Sequence, residues 1–398
     1  MSDSSAFVAP APIPVREAPH GIRFDFNHGA RVHLPPGDWQ VRLSDARTHN
    51  TLFDTRLAEG WVTSSKRYFV PFRIEVWQAG QLVFTHRLDL AGQDVLVQFP
   101  VGTLGDVLGW FPYAVRFAGQ HGCRLTCSMA PGLIGLLADS YPDIRFVPPD
   151  ELDTSVFYAS YYLGLFFGDD EGCYQPADFR LVGLHRTAAH ILGVDDQEEP
   201  ARIRLSDDSR PIAEPYACIA VQSTTQCKYW NHPTGWLEVV RHLRNQGLRV
   251  VCIDQKACHG AGLTWTTLPH GCEDLTGDRP LPERARYLRH AACFVGLSSG
   301  LAWLAWTMGT PVVMISGFTH PQNEFRTPFR IFNHHTCNSC WNDARLTFDH
   351  SDFFWCPRHR DTPRQFECSR LIQPEQVIDA LNRIPVEATT RPQLRRLA

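Results

Sequence analysis

Residues 291–315 read AACFVGLSSGLAWLAWTMGTPVVMI, an uncharged run long enough to suggest a membrane span. Its interior argues otherwise: Ser298-Ser299-Gly300 and Gly309-Thr310-Pro311 break it into short buried pieces. What remains is an apolar strand, Cys293 to Leu297, a helix, Leu301 to Met308, and a second strand, Val312 to Ile315. A short apolar strand, a helix and another strand are the unit of a parallel sheet. Upstream the rhythm repeats, with strand-like Ala217 to Gln222, a helix over Thr234 to Asn245, strand-like Arg249 to Ile253 and a helix around Pro282 to His290. Residues 212–332 are therefore expected to form a doubly wound α/β domain.

A second β/α rhythm occupies 94–205: a β run from Asp94 to Pro100, a helical pattern through Val107, Trp110, Phe111, Ala114, Val115 and Phe117, strands at Arg124 to Ser128 and Ile144 to Val147, and a helix at Thr187 to Leu192. Ser206 to Pro215 reads as a linker, and two Rossmann-type domains so joined imply a cleft. Before them, 21–93 alternates with period two (Phe24, Phe26; Trp39, Val41, Leu43; Phe72, Ile74, Val76; Leu82, Phe84), with turns at Pro35 to Asp38 and Ala79-Gly80, and predicts an antiparallel β domain. Residues 1–20 read as a flexible N-terminus, 333–370 as a cysteine-bearing insertion and 371–398 as a helix (Pro374 to Arg383) with a tail.

Composition narrows the function classes. At roughly 150 residues per domain, 398 residues suggest two or three domains. With 38 Lys+Arg against 42 Asp+Glu, the net charge of −4 speaks against a large nucleic-acid footprint. The segment Met1 to Pro14 has neither a basic start nor an apolar run, so it does not read as a signal peptide. A cytoplasmic location follows, where thirteen cysteines are core residues or metal ligands rather than disulfides. Lysine is rare: Lys66, Lys228 and Lys256 are the only three.

Cys337-Asn338-Ser339-Cys340, followed by Cys356 and Cys368, places a C-x2-C pair and two later thiols in a segment with little apolar periodicity. Four thiolates make a closed tetrahedral shell, so the metal would be structural; spacing favours zinc, and the same ligands suit iron. Gly102-Thr103-Leu104-Gly105-Asp106 lies between a strand and a helix, where glycines admit a ligand and helix N–H groups attract an anion. Asp106 reads either as a helix N-cap or as a general base with its pKa lowered by the helix dipole. Lys228, closing the loop Ser223 to Lys228 after a strand, is a countercharge for phosphate, and Ser298-Ser299-Gly300 is a second anion cradle at a helix start. Two cradles at one sheet mouth suit a diphosphate. Neither carries a Walker or G-x-G-x-x-G motif.

The run Glu273-Asp274-Leu275-Thr276-Gly277, Leu281 to Leu288, Phe294 to Ala305 and Gly309 to Val313 resembles the nucleotide-sugar half of lipopolysaccharide heptosyltransferases, which are GT-B enzymes with two Rossmann domains. It departs from them at Ser298-Ser299, where an Asp-Thr pair is common. The whole chain is more similar to bacterial autotransporter heptosyltransferases, which share its N-terminal β domain, Gly-Thr-Leu-Gly-Asp loop, Cys227-Lys228-Tyr229-Trp230 segment and four-cysteine insertion. The resemblance implies transfer of heptose from ADP-heptose to serine hydroxyls of autotransporter adhesins. It also implies one iron per chain on Cys337, Cys340, Cys356 and Cys368, and a homo-oligomer, a dodecamer in that family. Asp106 is then the base, and Lys228 with Ser298, Ser299 and Gly300 holds the diphosphate. Gly102, Thr103, Leu104, Gly105, Thr224, Thr276 and Gly277 are the further substrate contacts expected. The alternatives are a lipopolysaccharide-type heptosyltransferase and a non-enzymatic, metal-stapled nucleotide-binding scaffold.

Overall fold

The computed structural model describes residues 7–99 and 102–385. The chain packs into two units: residues 1–102 with 110–199, and residues 103–109 with 200–398.

Among the described residues the first unit holds an eight-stranded sheet, in the order Arg145–Val147, Arg124–Ser128, Asp94–Gln98, Ala159–Tyr162, Arg23–Asn27, Arg31–Leu34, Gly60–Thr63, with Arg16–Glu17 beside Arg23–Asn27. The first five run parallel, and the last two add antiparallel. A separate four-stranded antiparallel sheet comprises Thr51–Leu57, Trp39–Asp45, Phe72–Gln78 and Gln81–Arg87.

This corrects the expected boundary at 93/94. The alternation of Phe24 and Phe26 predicts one wet face, yet Asp25 and Asn27 between them are buried as well, because Arg23–Asn27 is an interior strand. Its polar groups are satisfied locally: Arg31 donates to both oxygens of Asp25 at 2.7 and 2.6 Å, and Asn27 donates to Asp25 and to the Phe157 carbonyl. The flexible reading of 1–20 also needs correction from Phe7 onward. Val8 exchanges two hydrogen bonds with the Gln98 amide at 3.0 Å, and the Ala11 carbonyl accepts from Arg31. Residues 1–6 lie outside the described residues.

The second unit is built on a six-stranded sheet, parallel at every junction: Glu273–Asp274, Arg249–Cys252, Tyr216–Ala220, Phe294–Leu297, Val312–Ile315, Arg330–Ile331. Numbered along the chain this is the order 3-2-1-4-5-6 of a dinucleotide-type sheet. Its core joins Val239, Val240 and Leu243 of the helix Gly235–Asn245 to Val377, Ala380 and Leu381 of the helix Pro374–Asn382. The C-terminal helix thus belongs to this domain, while the tail 386–398 lies outside the described residues. The expected linker is also part of the unit. Arg286 pairs with Asp207, and His290 donates to the Asp208 carbonyl at 2.9 Å, so 206–209 is pinned to the helix Leu281–His290.

Candidate functional site

Strand order in the second unit reverses between Tyr216–Ala220 and Phe294–Leu297, and ligands in such sheets collect beyond the carboxyl ends at that reversal. The loops leaving those two strands carry Thr224 and Lys228, and Ser298, Ser299 and Gly300. The first is shaped by Asp254, whose buried carboxylate accepts from the Val221 amide at 2.6 Å. It then closes in a single 3-10 turn, Gln226–Lys228. Thr224 is exposed at its crest.

The start of the helix Leu104–His121 packs in the same unit. A Cβ on Gly300 would lie 2.9 Å from Leu104 Cβ and 3.2 Å from the Gly105 nitrogen, and one on Gly105 would lie 2.9 Å from Trp303. Two helix N-termini therefore meet, with their unpaired N–H groups and positive dipole ends at one place. Gly102 is exposed, with open space around it.

Asp106 is the third helical residue, not the N-cap, and the preceding Thr103 hydroxyl donates to its carboxylate. Burial pushes the Asp106 carboxyl up to about 6, while the Lys228 ammonium pulls it down. The direction is opposite to the one expected from the helix dipole, because desolvation outweighs both the dipole and the lysine. It leaves the group poised to gain or lose a proton near neutrality.

At the other cradle the two serines part company. Ser298 is buried and donates its hydroxyl to Glu324, which is only 3 % exposed; Thr319 donates to the same oxygen at 2.7 Å, and Arg330 to the other at 2.6 Å. Ser299 is the N-cap of the helix Gly300–Thr307, and its side chain makes no cap hydrogen bond. Ser298 is thus turned inward, while the Ser299 hydroxyl makes no bond to the helix it caps. Thr276 spends its hydroxyl on Asp274 at 2.6 Å, whereas Gly277, at φ +109°, has open space about it. Buried Arg284 holds this turn by donating to the Gly277 carbonyl.

Glu324, Arg330, Asp254 and Arg284 were not singled out by sequence. Charged residues beside an apolar strand end are the only signal they leave, and that signal is shared by many solvated loops.

The cysteine segment collects its thiols. Cys368 is half-buried, with Cys340, Cys227, Cys356 and Cys337 as electrostatic neighbours, and desolvation raises its pKa. Burial likewise pushes Cys340 up to about 12, against the pull of Arg358. Among the described residues, the tight ligand group is Cys337, His359 and Glu367, with one donor atom of each within 4.8 Å of the others. The four expected sulfurs are electrostatic neighbours of one another, and His359 and Glu367, which the spacing did not reveal, stand beside Cys337. Soft thiols with an imidazole and a carboxylate suit either iron or zinc. The segment also has an aromatic core that its lack of periodicity hid: Trp355 stands perpendicular to Phe348 at 5.0 Å and to Phe318 at 5.5 Å, over Cys227 and Cys340.

Comparison with known proteins agrees with this architecture. Residues 18–80 match the family model described as glycosyltransferase TibC, N-terminal domain, and residues 183–344 match glycosyltransferase family 9 (heptosyltransferase). An autotransporter heptosyltransferase of Citrobacter rodentium is 55 % identical over 95 % of this chain and 92 % of its own. A relative from Burkholderia thailandensis, 51 % identical over 95 % of this chain and 89 % of its own, is described as an inactive autotransporter heptosyltransferase. The crystal structure of dodecameric iron-containing heptosyltransferase TibC in complex with ADP-D-beta-D-heptose covers 96 % of this chain and 100 % of that one, at 53 % identity and a TM-score of 0.93. Escherichia coli lipopolysaccharide heptosyltransferase II shares the fold alone, at 15 % identity and a TM-score of 0.53 over 74 % of this chain and 99 % of that one. From the two domain matches and near full-length identity above one half, the chain belongs to the autotransporter heptosyltransferases, glycosyltransferases of the GT-B-like family 9 type.

Proposed function

We propose that this chain transfers heptose from ADP-heptose to serine hydroxyls of autotransporter passengers in the cytoplasm before their export. One observation carries the reading: a half-buried Asp106, its pKa raised to about 6, stands beside Lys228 where two helix N-termini meet. The Lys228 ammonium and the Ser299-Gly300 helix start hold the diphosphate and take up the charge that grows on departing ADP. Asp106 accepts the proton of the serine hydroxyl as its oxygen bonds to the anomeric carbon and the bond from that carbon to the phosphate oxygen breaks. A base near 6 is ionised at neutral pH yet basic enough to take the proton late in the displacement. Thr224, Thr276 and Gly277 border the donor, and Gly102, Thr103, Leu104 and Gly105 border the acceptor.

The cysteine segment holds one iron on Cys337, Cys340, Cys356 and Cys368, with zinc as the alternative, and the bound ion serves as a structural staple. The functional assembly is a homo-oligomer, as the dodecameric TibC suggests.

A second reading is favoured by one relative: a member of this family described as inactive makes binding without transfer a real outcome. Purified protein incubated with ADP-heptose and an autotransporter passenger separates the two. Release of ADP that depends on the passenger supports transfer; tight ADP-heptose binding with no ADP released supports a scaffold.

A further inference from the structure

The cysteine segment does more than brace itself, because its aromatic residues reach Lys228. The Lys228 ammonium lies 5.9 Å from the centre of the Trp341 ring, over its face, within the range at which the ring quadrupole attracts a cation. Trp341 directly follows Cys340 and is held in its own aromatic packing, edge-on to Phe348 at 5.2 Å and tilted against Phe318 at 5.9 Å. His350 is a further neighbour of the ammonium; burial and Lys228 hold its pKa below the usual histidine value, against the pull of Asp349.

The other anchor is Cys227, the residue before Lys228. It is 3 % exposed and packs with Phe318, Cys340 and Trp355, while its sulfur meets the Thr225 hydroxyl at 2.5 Å. The Gln226 amide donates to the Phe353 carbonyl at 2.8 Å. The turn that carries Lys228 is thus fixed to the cysteine segment through the Gln226 backbone and the Cys227 side chain, and the Lys228 head group lies over the face of Trp341. A lysine side chain left free in solvent would lose rotamer entropy on meeting a phosphate; one already laid along an indole loses less.

We propose that Trp341 is the positioning residue for Lys228, so that the cysteine segment forms one wall of the diphosphate subsite. This rests on reading Lys228 as the phosphate contact. Trp341 itself touches no reacting atom in this account; it acts by holding the ammonium where the phosphates bind.

The test is calorimetric titration of the full chain with two probes, ADP and adenosine. Trp341→Leu is expected to weaken ADP by about three- to tenfold and to leave adenosine unchanged. Trp341→Phe keeps a π face in less space and is expected to retain most of the ADP affinity. In a Lys228→Ala background, Trp341→Leu is expected to have no further effect on ADP. Equal ADP affinity in wild type and Trp341→Leu overturns the proposal, as does equal weakening of ADP and adenosine. If Trp341→Leu fails to fold, Trp341→Met, which fills similar space without a π face, takes its place: an ADP loss without an adenosine loss supports the role, and unchanged ADP affinity or parallel losses overturn it. A wild-type chain that binds no ADP would instead remove the functional reading itself, a distinct result.

Discussion

Gly105 and Gly300 meet backbone to backbone: a Cβ built on Gly300 falls 3.2 Å from the Gly105 nitrogen, and one built on Gly105 falls 3.4 Å from the Gly300 Cα. Neither position has room for a side chain, and that closeness brings the Asp106 helix onto the Ser299-Gly300 cradle. Gly300→Ala should therefore push the two helix starts apart and lower the transfer rate by about 10²-fold, the scale expected from an ångström of misplacement. Gly132→Ala, in a helix with open space around that position, should leave the rate unchanged. Equal rates for both variants would show that the contact does not set catalytic geometry.

Asp106 should impose the acid limb of the pH profile. The active form is the carboxylate, so kcat/KM should rise through an inflection near pH 6 and flatten above it. Its stability effect has the opposite sign. A folded pKa raised from 3.8 to about 6 means that folding favours the protonated form, so this group's contribution is present at low pH and lost as pH rises through 6. Asp106→Asn should abolish transfer, with a loss on the order of 10²–10⁴, while raising Tm at pH 8 more than at pH 5. A fall in Tm at pH 8 would assign Asp106 to helix capping through Thr103.

Lys228→Ala should weaken ADP-heptose and ADP alike, since the proposed role places the ammonium on the diphosphate that both carry. Adding salt should weaken ADP binding to the wild type more than to the variant. Calorimetry that finds unchanged ADP affinity would remove Lys228 from the phosphate site.

Glu324→Gln leaves Arg330 buried without its partner, the two side chains being 1 % and 10 % exposed. The expected cost is about 3–5 kcal/mol, read as a lower urea midpoint, together with weaker ADP binding, because a Gln amide offers one acceptor oxygen where Arg330 and the Ser298 and Thr319 hydroxyls use two. Removing Arg330 as well, in Glu324→Gln/Arg330→Met, should recover part of the stability. No recovery would mean that the ion pair is not the source of the loss.

Much of this fold is legible in the chain. Arg124–Ser128 and Val312–Ile315 fall where their apolar runs place them, and the helices at Gly235–Asn245 and Pro374–Asn382 lie within a residue of the expected bounds. Burial on both faces is what escapes periodicity. Arg23–Asn27 alternates like a half-wet strand, but Asp25 and Asn27 are carried inside by mutual hydrogen bonds and Arg31. The strand Ala159–Tyr162, with Ser160 buried amid aromatics, gave no alternating signal at all. The positions of Asp106, Lys228 and Ser298 to Gly300 at strand ends are readable because their loops follow recognisable strands. The inward turn of Ser298 is not, since Glu324 is 26 residues away in sequence.

The central claim is that this chain modifies a protein. Intact-mass analysis of an autotransporter passenger co-expressed with wild type or with Asp106→Asn tests it most directly, in cells that make ADP-heptose. The account predicts a ladder of mass increments of one heptose residue, mapped to serines, with wild type and an unmodified passenger with the variant. An unmodified passenger with wild type, although the purified chain binds ADP-heptose, would contradict it.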